Sequence, residues 1–227
     1  MTLLLSRSAR MTEVCLDESG YTRLPAALSQ SDRRGRQPAV KKGDIVEFLT
    51  SRPDIVGSST QRWLLSYWHR LRGTALLPVW QGLEGIPELV AMADYLSYAE
   101  LVGDEDSPRL LIRMQGQRVA EAHGGYAVGK FLDEFLKSPY KEASLATCRQ
   151  AIKTRLPVYT VVDLRDCNQR IVHYERLLLP FGKDGVHVDG VLASIEAVSP
   201  EGAFENRDLM NPPEKKPAFA LCTTILH

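Results

Sequence analysis

The loop from Gly124 to Lys130 has the spacing in this sequence that is most often linked to chemistry. It reads Gly-Gly-Tyr-Ala-Val-Gly-Lys and matches the Gly-x-x-x-x-Gly-Lys pattern of a phosphate-binding loop. Such a loop needs a Ser or Thr hydroxyl for Mg²⁺ at the next position, which is Phe131 here, and residues 118–123 before it predict a helix where a buried strand is required. We therefore expect the glycines to serve tight turns, and we keep a nucleotide-binding enzyme as an alternative.

Other signatures of catalysis or metal binding are missing from the sequence. It has no Gly-x-Ser-x-Gly segment, no His-Glu-x-x-His segment and no Cys-x-x-Cys pair, and its four cysteines are widely separated. The five histidines form no recognisable pattern either. The sequence therefore predicts that the protein is not an enzyme and has no catalytic residue and no metal site.

One run with β-strand character, Ile-Val-His-Tyr-Glu-Arg-Leu-Leu-Leu-Pro, carries a charged side chain on each face. Because side chains alternate along a strand, Tyr174 and Arg176 share one face and Glu175 lies on the other. A buried charge needs a partner, the rim of a pocket or water. One interpretation is a structural ion pair. The other is a pocket in which Tyr174 and Arg176 bind an anionic metabolite, because arginine donates two parallel hydrogen bonds to an anion.

An amphipathic helix is predicted from Ser58 to Arg72, ahead of these elements. Ser58 and Gln61 fit a capping box, apolar residues follow at helical spacing, and Gly73 ends the pattern. The helix carries more aromatic surface than a helix of this length usually exposes. We therefore expect it to pack on its own domain or to pair with another chain, and the candidate interface residues are Trp63, Tyr67, Trp68 and Leu71.

The rest of the sequence predicts an α+β domain over residues 58–198. A short helix, a β-hairpin, a cluster of short helices and a longer helix precede three antiparallel strands. The predicted elements after the leading helix cover residues 87–92, 95–102, 109–115, 118–135, 138–156, 158–164, 170–180 and 186–198.

Two flanking segments lack the periodicity of folded elements. Residues 1–57 form a predicted disordered basic arm, which is either a solvated tail or a contact for an anionic partner, and residues 199–227 form a Pro-rich tail with a final apolar run. The 28 basic residues balance the 28 acidic ones, so we expect no nucleic-acid partner. No apolar run approaches the roughly 18 residues of a membrane span, so we expect no membrane association and a cytoplasmic location.

The order of these elements and four short motifs resemble the PAS domain. The motifs are Tyr-Trp-His-Arg-Leu-Arg-Gly-Thr from Tyr67 with the following Leu-Pro, Arg-Met-Gln-Gly-Gln-Arg from Arg113, Gly129 with Leu132, and Tyr-Glu-Arg-Leu-Leu-Leu-Pro from Tyr174. They are similar to a bacterial, alphaproteobacterial-type family of single PAS domains. The resemblance implies a five-stranded antiparallel sheet with short helices on one face, preceded by the amphipathic helix.

The same resemblance implies a sensory and signalling role without catalysis. The main hypothesis is a module that acts by forming a homodimer or by docking a separate signalling protein, with or without a small-molecule ligand. The alternative is a domain that binds an anionic metabolite, with Arg113, Tyr174 and Arg176 as the candidate pocket residues. No cofactor is predicted, because the long helix lacks the histidine of haem-binding PAS domains and no Asn-Cys-Arg flavin motif occurs.

Overall fold

A computed structural model gives the fold and describes residues 48–103, 108–137, 140–211 and 218–226. The basic stretch of the arm, and Ser138 and Pro139 at the predicted start of the long helix, lie outside these residues. Among the described residues, none of the helices combines the length and apolar character needed to cross a membrane.

The described elements follow the predicted order. The helices are α1 (Ser59–Arg72), α2 (Pro87–Ala91), α3 (Gln117–Ala122), α4 (Leu132–Phe135) and α5 (Lys141–Thr154), with short 3₁₀ helices at Pro53–Ile55 and Ala93–Tyr95. The strands are β1 (Leu49–Ser51), β2 (Leu96–Val102), β3 (Arg109–Gln115), β4 (Val158–Arg165), β5 (Ile171–Phe181), β6 (Gly190–Val198) and β7 (Ala218–Ile225).

The strands form one seven-stranded sheet in the order β1-β7-β4-β5-β6-β2-β3. The predicted hairpin is the antiparallel pair β2–β3, and the predicted meander is β4–β5–β6, also antiparallel. These five strands, with short helices on one face, confirm the predicted α+β, PAS-like fold. Two further strands extend the sheet, because β7 pairs with β4 and β1 pairs in parallel with β7. Strand β1 therefore lies within residues 1–57, which were predicted as a disordered arm, and β7 lies within residues 199–227, which were predicted as a tail.

Helix α1 lies against one face of the sheet. Ser58 caps it as predicted, because its hydroxyl oxygen accepts a hydrogen bond from the Gln61 backbone N–H at 3.3 Å. The Gln61 side chain does not complete the predicted capping box. Its amide instead donates to the backbone carbonyl oxygens of Glu175 at 3.4 Å and Ser194 at 3.1 Å. Apolar side chains of α1 share a core with Leu177 and Leu179 of β5. The helix is therefore joined to the sheet by both apolar packing and hydrogen bonds.

Helices α3 and α5 cover the opposite face. Val119 of α3 packs in one cluster with Val172 and Tyr174, and Cys148 of α5 packs in another with Leu178. The alternation along β5 explains this division, because its even-numbered side chains point toward α3 and α5 while Leu177 and Leu179 point toward α1. The space between this face and helices α3 to α5 contains the candidate site.

Candidate ligand cavity

A cavity of about 60 Å³ lies between the sheet and helices α3 to α5. This is space for about four water molecules. Four strands of the sheet, β2, β3, β5 and β6, supply its floor, and helices α3 to α5 supply its roof. Most lining side chains are apolar, and the polar ones are Ser97, Gln115, His123 and Arg176. An apolar cleft with a few polar groups is the usual form of a small-molecule site.

Arg176 carries the positive charge of the cavity. Its position on β5 follows from strand alternation, which puts it on the same face as Tyr174 and Leu178. One terminal N–H of its guanidinium donates to the hydroxyl of Thr147, a fully buried residue of α5, at 2.5 Å. Its Nε atom is buried and has no hydrogen-bond partner among the described residues. None of the described carboxylates forms an ion pair with Arg176, so the geometry leaves a donor and a charge for something else to satisfy.

The predicted ion pair on this strand is therefore not present within the described part of the chain. Glu175 lies on the other face of the sheet, where its carboxylate accepts a hydrogen bond from the Tyr159 hydroxyl at 2.7 Å. The Tyr159 oxygen in turn accepts from the backbone N–H of Gly57 at 3.2 Å, just before α1. The two charged side chains of β5 thus serve different sites.

His123 lines the cavity at the end of α3, although no pattern in the sequence marks it. Its enclosed position lowers the pKa of His123 to about 4, first because burial disfavours the charged imidazolium and second because Arg176 is positive. The Nε2 atom lies 3.4 Å from the Tyr174 hydroxyl, and the ring lies 5.7 Å from that of Phe135. A neutral imidazole can donate and accept a hydrogen bond but adds no charge.

The structure separates the three predicted pocket residues. Arg176 lines the cavity, and Tyr174 is buried behind its wall and contacts His123. Arg113 lies outside the cavity and forms an ion pair with Glu100 at 2.7 Å on the exposed surface. The reason is strand alternation, because the preceding residue, Ile112, points into the cavity.

The glycine loop makes turns, as the sequence indicates. Gly124, Gly125 and Gly129 all have positive φ angles of 77°, 153° and 85°, which glycine adopts without strain. Helix α3 precedes the loop, as predicted, where a phosphate-binding loop requires a strand. The end of the loop pairs with β3, because Gly129 N–H donates to the Ile112 carbonyl at 2.8 Å and the Ile112 N–H donates to the Lys130 carbonyl at 3.0 Å.

The four predicted interface residues on α1 differ in burial. The prediction of Trp68 as an interface residue is wrong, because its side chain lies in the core. Trp68 is fully buried with Leu64 and Leu65, and its indole N–H donates to the Pro180 carbonyl at 2.7 Å. The other three residues are partly or largely exposed. Trp63 and Tyr67 are partly buried and stack on each other with ring centres 5.3 Å apart and planes at 4°, and Leu71 is 36% exposed.

Comparison with known proteins identifies the family of this domain. A family model described as "PAS domain" matches residues 56–195, which is more than half of the chain. Among solved structures, that of a variant of RsLOV is similar over 51% of this chain and 68% of that chain, with 19% identity and a TM-score of 0.35. This likeness is too low to support any inference about ligand or mechanism. A search of the curated proteins found no match.

Proposed function

Because this chain belongs to the PAS domain family, whose members are typically sensory modules without catalysis, we propose that it senses a small anionic molecule. The ligand occupies the cavity between the sheet and helices α3 to α5. The observation that carries this proposal is Arg176, a cation in a largely apolar cavity without a carboxylate partner among the described residues. A charge in such a place is costly unless an opposite charge joins it, so an anion would gain affinity there.

Strands β5 and β6 connect the cavity to helix α1 on the other face of the sheet. Gln61 of α1 holds the backbone carbonyls of Glu175 and Ser194, and the next residues along these strands, Arg176 and Ile195, line the cavity. A ligand that shifts the strands would therefore also act on the contacts of α1. This contact supports α1 as the output element of the sensor.

The output is transmitted by association with a second copy of the chain or with a separate signalling protein. The partly exposed stack of Trp63 and Tyr67, together with the exposed Leu71, supports this second part of the proposal. Aromatic side chains of this kind are enriched in protein interfaces. We also propose that the protein acts in the cytoplasm of a bacterium, and the resemblance of its motifs to an alphaproteobacterial-type family supports the bacterial origin.

The ligand is tested by native mass spectrometry of the full chain, followed by thermal-shift measurements with carboxylate and phosphate compounds. An anion that binds only the native state must raise its stability. We expect stabilisation of the wild type and of Arg113→Met, and none of Arg176→Met. Arg113→Met is the matched control because it removes the same group from outside the cavity. No bound molecule and no stabilisation by any anion would contradict the proposal.

Association is tested by size-exclusion chromatography with light scattering on a Trp63→Ala, Tyr67→Ala double variant. We expect the wild type to elute as a dimer and the double variant as a monomer with an unchanged circular dichroism spectrum. Val90→Ala is the control, because Val90 is 57% exposed on another helix. A monomeric wild type would exclude self-association and leave the separate signalling protein as the partner.

A further inference from the structure

We propose that the ligand of the cavity is a monocarboxylate with an uncharged, apolar body, and that Arg176 binds its carboxylate group. This inference rests on the proposed function and narrows the ligand to one chemical class. Three features of the cavity support it: the number of charges, the donors that remain available, and the character of the walls.

The cavity offers one positive charge. Arg176 is the single Lys or Arg among the described residues that line it, and no described Asp or Glu lines it either. His123 does not add a second cation, because burial keeps the imidazole neutral at physiological pH. A phosphate monoester with about two negative charges, or a dicarboxylate, would leave one charge uncompensated in a site of low polarity. A single carboxylate matches the charge of Arg176.

The donors that remain on Arg176 also fit a carboxylate. One terminal N–H is used by Thr147, and the buried Nε–H is without a partner among the described residues. A guanidinium has five N–H donors in a planar fork, and adjacent N–H groups of the fork can bind both oxygens of one carboxylate. Two other polar groups of the wall are already used inside the protein, because Ser97 donates to the Met114 carbonyl and the Gln115 side-chain oxygen accepts from Ala127 N–H.

The walls away from Arg176 are apolar. Leu110, Ile112, Phe135 and Leu136 line the cavity from β3 and from α4 with the turn that follows it, and Ala193 on β6 leaves space because its side chain is small. Such walls favour a hydrocarbon body over a hydroxylated one, because buried hydroxyl groups need hydrogen-bond partners. A short fatty acid such as hexanoate has the required combination of one carboxylate and an apolar chain.

The test is isothermal titration calorimetry of the full chain with hexanoate, hexan-1-ol, succinate and inorganic phosphate. We expect hexanoate to bind, and each of the other three to bind at least about tenfold more weakly, because a charged hydrogen bond is lost or a charge is left unpaired. Arg176→Met should weaken hexanoate binding about 10- to 100-fold, while Arg113→Met should leave it unchanged. Ala193→Leu should also weaken it, because leucine fills the space of the ligand body.

Thermal unfolding without ligand checks that the variants fold. If Arg176→Met does not, Ala193→Leu and Arg176→Lys decide, since lysine keeps the charge but loses the planar fork. The proposal is overturned if hexan-1-ol binds as tightly as hexanoate, or if succinate or phosphate binds more tightly. It is also overturned, while the sensory function stands, if native mass spectrometry shows a bound anion of another class that requires Arg176. If the cavity binds no anion at all, the proposed function falls together with it.

Discussion

Replacement of Trp68 by phenylalanine tests how α1 is attached to the sheet. The side chain is fully buried, and its indole N–H donates to the Pro180 carbonyl at 2.7 Å. Phenylalanine keeps one aromatic ring but removes this donor, and a buried carbonyl that loses its partner costs about 1–3 kcal/mol. The smaller ring also leaves a cavity, so the total loss should be about 2–4 kcal/mol in the free energy of unfolding. For a chain of this size, this corresponds to a fall in Tm of about 5–15 °C.

Urea unfolding followed by circular dichroism measures this loss, and Trp63→Phe is the matched control. Trp63 is partly exposed, and phenylalanine preserves its stack with Tyr67. We expect the control to change the free energy of unfolding by less than about 0.5–1 kcal/mol. If Trp68→Phe is as stable as the wild type but loses self-association, the side chain belongs to an interface, and the assignment of Trp68 to the core is refuted.

Three further predictions concern ionisation and close packing. Burial lowers the pKa of His123 to about 4, so the unfolded chain binds more protons than the folded one between pH 6.5 and 4. The free energy of unfolding should therefore fall as the pH falls through this window. In the His123→Gln variant, the Tm should depend less on pH. Burial, and then a neighbouring carboxylate, raises the pKa of Glu196, so Glu196→Gln should raise the Tm at pH 7 and lose this advantage in acid, where the wild-type group is protonated. Gly116→Ala should destabilise the fold by about 1–3 kcal/mol in urea, because the added Cβ would overlap the backbone carbonyl oxygens of Ala93 and Asp94; unchanged stability would contradict this packing.

The arrangement of charges explains why one arginine and one glutamate on adjacent positions of β5 have different roles. Glu175 is bonded to Tyr159 near the start of α1, and Arg176 faces the cavity with its Nε–H unpartnered among the described residues. Arg176 is partly buried, and a charged group that is only partly satisfied away from water costs stability. The cavity and the contacts that hold α1 thus lie on opposite faces of β5.

The sequence by itself determined the features that depend on neighbours in the chain. Ser58 was recognisable as a helix cap, the glycines from Gly124 as turns, and Arg176 as a charge on the same strand face as Tyr174. These features are set by the local geometry of helices, turns and strands, so spacing alone predicts them. The PAS fold was expected from the resemblance of the motifs and of the element order to that family.

Only the tertiary structure decided which of these residues meet. Thr147 and His123 approach Arg176 from α5 and α3, and no spacing in the sequence marks either of them as its neighbour. Trp63 and Trp68 lie on one helix, yet the sheet buries Trp68 and leaves Trp63 partly exposed, because the angle at which a helix packs selects the buried side chains. Contacts between distant segments depend on register and packing, and these are properties of the whole fold.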